Sequence, residues 1–501
     1  LTLSRGVLAK SNGELVARVV ELAKLLGRET GLPVYSSAEA KKTLSAGASV
    51  IYLGWIMAGS VKGYAAAAKR YNVRAVCGVG MWQTGTQQDM ASITVISDKA
   101  DIRYTFNRVG TYILRLKADN GEDIQFKYFT LNVNSGMDEG VLVLCDDNVK
   151  GTLTFIKQLP ENAGADEQEI FPDVFSLINP GQELKKPTDM FISAYTSKEV
   201  QYRSLLISTA DENGTIFKLE PKTFEYYNKT SMQDNGGTHC TGFAGESASS
   251  AAYYTLMAGA DGKTYRYDLY GDFVSERPDA SATAKVDRAG RILYRTSATG
   301  KPKIENVLYN EHTLIQPDNA KVTKLDFSGY KVVNFSAKAD KNMVYVLLQK
   351  EGAENTYCIK STTGALKAAK PVLADFIVEG GVKMDRNSIM VTSFNAPDFI
   401  YYSYDNAIYR WTPTTLPPTS PKITLPEGEQ IMSMCTNFMG SFQGAAGTFE
   451  TLLYVATWNP DRAGENKGSV YIYQFSDDSL VKKYEGICAK PVKIMYKYRI
   501  S

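Results

Sequence analysis

Ile400-Tyr401-Tyr402-Ser403-Tyr404-Asp405-Asn406-Ala407-Ile408-Tyr409-Arg410-Trp411 is the stretch on which the fold turns. Two aromatic-rich runs flank Asp405-Asn406, a dipeptide able to reverse the chain tightly, so the segment reads as an antiparallel hairpin. The same unit recurs at 141–157, 205–219, 253–267, 291–308, 343–360 and 452–475: an apolar strand, a turn of Asp, Asn or Gly, then an alternating aromatic strand. Asp211-Glu212-Asn213-Gly214 and Asp261-Gly262 repeat the turn signal. Ile216-Phe217-Lys218-Leu219, Tyr265-Arg266-Tyr267-Asp268 and Tyr471-Ile472-Tyr473-Gln474 repeat the second strand. The units start at intervals near the 40–50 residues of a propeller blade. Radial stacking of small sheets buries each blade on its neighbours and leaves only short edges. A β-propeller of about seven blades is expected over 137–501.

Upstream, 82–136 reads as hairpins of an immunoglobulin-like β-sandwich. Ile93-Thr94-Val95-Ile96, Ile102-Arg103-Tyr104-Thr105-Phe106 and Gly110-Thr111-Tyr112-Ile113-Leu114-Arg115-Leu116 alternate with period two, and a turn at Asp119-Asn120-Gly121 leads into 126–133. Before Met81 the grammar differs. Short apolar runs, among them Gly6-Val7-Leu8-Ala9, Ser49-Val50-Ile51-Tyr52-Leu53-Gly54 and Arg74-Ala75-Val76-Cys77-Gly78-Val79, alternate with helical patterns such as Leu15, Val16, Val19, Val20, Ala23 and Leu26. That order, βαβαβαβ, calls for a parallel sheet over 1–81 with right-handed crossovers. The α/β segment lacks its tail and the sandwich its first strands, so the expectation is a junction of two unrelated sequences near Met81. The fold class expected is mainly β: a small α/β segment, a partial sandwich, then a propeller.

The formal net charge of +2 over 501 residues argues against a dedicated nucleic-acid binder. No run is long enough to span a bilayer as a helix. Six cysteines lie far apart with no CxxC, and there are only two histidines, so no clustered zinc ligand set is expected. His239-Cys240 are adjacent, but neighbours in sequence rarely face each other as nucleophile and base. His312, after Glu311, reads as a surface or capping residue. Asp146-Asp147 and Asp477-Asp478 fall in turns, and Asp211-Glu212-Asn213-Gly214 lacks the spacing of a calcium loop. The Tyr-rich second strands have two readings: aromatics facing a ligand on the outer rim, or fillers of strand faces and blade contacts.

Val7-Leu8-Ala9-Lys10-Ser11-Asn12-Gly13 and Val50-Ile51-Tyr52-Leu53-Gly54-Trp55 resemble the first strand with its phosphate loop, and the third strand with its flavin-flanking loop, of the flavodoxin family. The resemblance implies FMN, with Ser11, Asn12 and Gly13 at the phosphate and Trp55 on the flat ring. A Ser-Asn-Gly turn serves equally as a helix cap, and Trp55 equally as edge packing. Tyr104-Thr105-Phe106 with 110–120, and then Gly140-Val141-Leu142-Val143-Leu144-Cys145-Asp146-Asp147, resemble PKD-like surface lipoproteins of Bacteroidetes. That family implies export, an N-terminal lipid anchor missing here, and capture of a glycan or peptide beside an outer-membrane nutrient importer of the starch-utilisation type. The leading expectation is therefore a non-enzymatic surface binding protein without a cofactor. The alternative is a flavodoxin-like FMN redox or sensor protein.

Overall fold

The computed structural model describes residues 74–81, 94–97, 110–119, 123–133, 137–159, 168–197, 200–235, 237–245, 254–276, 308–309, 312–317, 322–337, 343–363, 366–393, 395–437 and 450–499. The chain divides into two units, Leu1–Ser135 and Gly136–Ser501.

In the first unit, four strands form one antiparallel sheet in the order Thr94–Ser97, Arg74–Met81, Gly110–Asp119, Ile124–Val133. This corrects the expected fourth strand of a parallel α/β sheet. Arg74–Met81 pairs antiparallel with Gly110–Asp119 from Arg74 opposite Asp119 to Met81 opposite Tyr112. The strand was legible but its partner was not, because Val-rich runs suit either kind of ladder. The break in grammar expected at Met81 thus runs through one sheet rather than between two modules. The rest of the flavodoxin-like segment, Ser11, Asn12, Gly13 and Trp55 included, lies outside the described residues, as does the strand expected at 102–106. The expected sandwich is not shown: the described residues here form a single sheet, with no second layer among them.

The second unit contains six four-stranded antiparallel sheets. In sequence order of their hairpins, blade 1 runs Lys490–Lys497, Gly140–Asp146, Gly151–Lys157, Ile170–Phe171. Blade 2 runs Pro187–Ser197, Val200–Thr209, Ile216–Leu219, Tyr226–Thr230. Blade 3 runs Cys240–Gly245, Tyr254–Gly259, Thr264–Asp268, Phe273–Glu276. Blade 4 runs Tyr330–Ala337, Met343–Lys350, Thr356–Thr363, Lys370–Ile377. Blade 5 runs Met390–Thr392, Ile400–Tyr404, Ala407–Trp411, Ile423–Thr424. Blade 6 runs Gln430–Thr436, Leu452–Trp458, Gly468–Gln474, Leu480–Cys488.

First strands lie side by side: Cys240–Gly245 beside Pro187–Ser197, then Lys490–Lys497, Gln430–Thr436 and Met390–Thr392. Five core clusters bridge consecutive blades. Leu144 and Phe155 meet Leu205 and Phe217 between blades 1 and 2. Leu206 and Ile216 meet Met257, Tyr265 and Tyr267 between blades 2 and 3. Leu347 and Ile359 meet Tyr402, Tyr409 and Trp411 between blades 4 and 5, with Tyr402 stacked on Tyr409 at 5.2 Å. Tyr401 and Ile408 meet Val455, Tyr471 and Tyr473 between blades 5 and 6. Val143 and Ile494 meet Tyr454 and Ile472 between blades 6 and 1. Each such side chain contributes roughly 1.5–3 kcal/mol by leaving water. This is a β-propeller.

Six of the hairpins read from sequence are the second and third strands of these blades. Among the described residues six four-stranded blades stand against the expected count of about seven. The unit at 291–308 lies outside the described residues except for Leu308, and a three-stranded sheet follows instead: Leu308–Tyr309, Thr313–Pro317 and Val322–Asp326. That sheet is one strand short of a blade and packs Leu314 into the core of blade 4. The ring closes where the last strand, Lys490–Lys497, adds to Gly140–Asp146. Lys497 has no exposed surface, and its ammonium donates to the carbonyls of Met137 at 2.7 Å and Asp138 at 2.6 Å. The Tyr496 hydroxyl beside it donates to the Glu139 carboxylate.

Candidate functional site

Five of the first strands carry a β-bulge, and the ladder resumes at Asp189, Gly242, Asn334, Ser433 and Lys493. A bulge re-aims the side chain that follows it, and four of these five positions are polar residues reaching another blade. Asp189 accepts from the Phe243 amide at 2.7 Å through one oxygen and pairs with the Lys493 ammonium at 3.0 Å through the other. Asn334 donates to the carbonyls of Asp385 at 2.6 Å and Ser388 at 3.1 Å. Ser433 accepts from the Ile494 amide at 3.1 Å. The inner ring is thus a chain of contacts between blades. Lys493 is the member that also meets solvent, its side chain 39% exposed, and the neighbouring Asp189 carboxylate holds its pKa up. Asp189 faces an ammonium rather than a second carboxylate, so this pair lacks the two-acid geometry of glycosidic cleavage.

A different environment lies at the outer seam of blades 2 and 3. Lys218 interrupts the otherwise apolar strand Ile216–Leu219 and is buried. Its ammonium donates to the Leu269 carbonyl at 2.8 Å and to Asp272 at 2.5 Å, and lies 5.3 Å from the Tyr227 ring centroid. Asp272 also accepts from the Tyr267 hydroxyl at 3.0 Å and from the Asn228 amide at 2.8 Å, and its carbonyl accepts from the Thr230 hydroxyl. Burial pushes the Tyr267 phenol up, so it stays a donor. A buried charge is tolerable only with partners of this quality.

This network backs three exposed rings: Tyr227 at 49%, Tyr270 at 82% and Phe273 at 48%. The loop carrying Tyr270 is tied down by its own hydrogen bonds. Asp268 accepts from the amides of Tyr270 at 2.9 Å and Gly271 at 2.7 Å, and Asp272 closes the turn at φ +53°. Leu269 is buried, which turns its neighbour Tyr270 outward. A Cβ at Gly271 would stand 2.8 Å from the Phe273 ring, so glycine lets that ring lie against the loop. Tyr227 is fixed by a hydroxyl contact of 2.6 Å with Ser204. The seam therefore presents flat apolar rings on a hydrogen-bonded backing.

The residues singled out in the sequence are placed elsewhere. Burial pushes the Cys240 thiol far up, which removes the thiolate that nucleophilic work needs. Burial also lowers the pKa of His239, against the opposing pull of Asp261. His312 ties the three-stranded sheet to blade 4, with Nδ1 2.9 Å from the Tyr330 carbonyl and Nε2 3.3 Å from Glu351. Asp146 and Asp147 cap the turn amides of Asn148, Val149 and Lys150. Asp477 accepts from Ser479, which lowers its pKa, and Asp478 pairs with Arg410 at 3.3 Å. Both oxygens of Asp211 are taken within its own turn, by Asn213 and Thr215. The repeated tyrosines Tyr265, Tyr267, Tyr409, Tyr471 and Tyr473 are buried between blades, as the filler reading requires. Sequence reasoning missed Tyr227, Tyr270, Phe273 and Asp272. The one available signal was Lys218, a charge where the strand pattern demands an apolar residue.

No family model matches the chain, those for flavodoxins and PKD-type domains included, and no curated protein does. Among solved structures, a quinonprotein alcohol dehydrogenase-like protein from Bacteroides thetaiotaomicron is similar over 84% of this chain and 91% of that one, at 16% identity and a TM-score of 0.45. The Cps50 (Swd1) β-propeller domain of Myceliophteria thermophila is similar over 56% and 83%, at 12% identity and 0.36. A chain of a mitotic checkpoint complex is similar over 69% and 99%, at 9% identity and 0.37. These likenesses concern the fold alone; the propeller assignment rests on strand order and blade packing.

Proposed function

We propose that the chain is a binding protein that holds a glycan against the seam of blades 2 and 3. It works outside the cytoplasm, at the outer-membrane cell surface, as an accessory of a nutrient importer of the starch-utilisation type. The observation that carries the reading is the set of exposed rings, Tyr227, Tyr270 and Phe273, fixed on the Lys218–Asp272 network. Sugars present apolar C–H faces to such rings and hydroxyls to polar groups like Asn228 and Asp272. A rigid amphipathic aromatic loses little conformational entropy on contact. Exposed apolar patches rimmed by polar residues mark interaction sites and ligand-binding grooves. The paired carboxylates Asp146-Asp147 and Asp477-Asp478 agree with this reading, since they hold turn amides, Ser479 and Arg410.

Isothermal titration of the purified chain with a panel of soluble oligosaccharides, and separately of peptides, tests it. Binding of at least one oligosaccharide is expected, with Tyr270→Ala weakening it about tenfold, equal to about 1.4 kcal/mol. Because Tyr270 is 82% exposed, the melting temperature should not move. Heat from peptides only, or sugar binding unaltered by both Tyr270→Ala and Phe273→Ala, would overturn the proposal.

A further inference from the structure

Tyr226–Thr230 carries a β-bulge: Asn228 stands opposite Lys218 and Tyr226 opposite Leu219, which leaves Tyr227 as the inserted residue. In a regular strand neighbouring side chains point to opposite faces, and a bulge re-aims one of them. Tyr227 and Asn228 accordingly both meet the Lys218–Asp272 pair, the ring centroid 5.3 Å from the ammonium and the amide 2.8 Å from the carboxylate. The amide orientation is fixed from both sides, since Asn228 Oδ1 accepts from the Lys229 amide at 2.8 Å. A carboxylate oxygen accepts two hydrogen bonds and a side-chain amide donates two. Asp272 Oδ1 is full, holding Lys218 and the Tyr267 hydroxyl. Asp272 Oδ2 takes only Asn228 among the described residues, and Asn228 Nδ2 gives only one of its two hydrogens. An acceptor lone pair and an N–H are thus left side by side, on a carboxylate whose side chain is 24% exposed.

Blades 5 and 6 supply a comparison inside the same chain. Arg410 pairs with Asp478 at 3.3 Å there, and Asp478 repeats the turn of Asp272. The Asp272 amide donates to Asp268 and the Asp478 amide to Gln474, both at 3.0 Å, with φ at +53° and +60°. That pair closes its seam with its remaining oxygen, Asp478 Oδ1, buried and without a hydrogen bond among the described residues. Sealing a seam therefore does not require an oxygen offered outward. The bulged strand with Tyr227 and Asn228 is what the seam of blades 2 and 3 has in addition.

We infer that Asn228 and Asp272 are the specificity-determining pair of the glycan site and select a sugar with two neighbouring unsubstituted hydroxyls. This rests on the glycan reading above. One hydroxyl donates to Asp272 Oδ2 and the next accepts from Asn228 Nδ2, while the apolar face of the sugar lies on the exposed rings. The ligand class is a neutral oligosaccharide of unmodified sugars, because a sulfate or carboxylate at that position would meet the Asp272 carboxylate.

Isothermal titration tests this on the full chain with trisaccharides of glucose, mannose, galactose and xylose, then with the monodeoxy analogues of the one that binds. Two neighbouring deoxy positions are expected to weaken binding about tenfold each, and the other positions hardly at all. On Asn228→Ala one of those two positions should stop mattering while the other keeps its effect. A purely structural role for Asn228 would weaken every analogue by the same factor and leave the pattern intact. Should that variant melt early, the wild-type series decides alone. An even response to all deoxy positions, or Asn228→Ala with both positions still sensitive, would overturn the inference, and the seam reading would survive where Tyr270→Ala still weakens binding. No heat from any trisaccharide would overturn both.

Discussion

Lys497 is a lysine with no exposed surface, held by the carbonyls of Met137 and Asp138. Burial lowers its pKa from 10.5 to about 8. Between those values the unfolded chain binds the extra proton, so stability rises with pH across that interval. Put the other way, the charged lysine destabilises the fold wherever both states are protonated, and the penalty fades above pH 8. The whole interval is worth about 3 kcal/mol. Buried thiols and phenols work in the opposite sense. Burial raises Cys358 to about 11 and Tyr473 to about 12, so the unfolded chain loses those protons first. The lysine's share is isolated by difference. From pH 7 to pH 10, wild type should gain most of that amount relative to Lys497→Met. Urea unfolding of both proteins at a series of pH values checks this, and parallel curves would show that the ammonium is not penalised. None of this was legible from sequence, where Lys497 is one more cation near the end of the chain.

At the level of strands, the bulges decide what could be read. Second and third strands are near-continuous apolar and aromatic runs bounded by turn residues, so hairpins such as Ile400–Tyr404 with Ala407–Trp411 announce themselves. First strands do not, because a bulge shifts the period and plants a polar residue where an apolar one belongs. Tyr330–Ala337 illustrates this: the shift between Val332 and Asn334 places a fully buried amide in mid-strand. Fourth strands such as Ile170–Phe171 and Ile423–Thr424 are too short to show any period. The same logic yields a prediction. Asn334 serves the carbonyls of Asp385 and Ser388 and accepts from the Phe335 amide. Asn334→Ala should cost about 2–3 kcal/mol, since buried groups lose their partners. Asn334→Asp should cost more, because a carboxylate would face two carbonyl oxygens. A lower urea midpoint at unchanged slope is the expected signature, and a wild-type midpoint for Asn334→Asp would refute this account of the bulge.

For the molecule as a whole, closure is the property that sequence hid most completely. Repeated hairpins implied a ring, but nothing in Lys490-Pro491-Val492-Lys493-Ile494-Met495-Tyr496-Lys497 says that its partner is Gly140–Asp146. Pairing between the ends of a long chain leaves no local pattern, and the pairing of Arg74–Met81 with Gly110–Asp119 across an intervening stretch leaves none either. A ring closed by its last strand should unfold as one body, since blades 1, 2, 5 and 6 each bury faces on two neighbours. Removing residues 490–501 would strip blade 1 of its first strand and leave the edge of Gly140–Asp146 unpaired. It would also deprive Asp189 of Lys493, and uncover Val143 and Tyr454 at the seam. The loss should exceed any single contact, because an open ring has two frayed ends instead of none. The truncated chain should therefore melt broadly, at least about 10 °C below the full chain if it forfeits a few kcal/mol, and bind a hydrophobic dye. A synthetic peptide spanning 490–501, added in excess, should restore the sharp transition by binding only the folded form. A truncated chain that melts sharply at the full-length temperature would mean that each blade stands on its own packing and that closure contributes nothing.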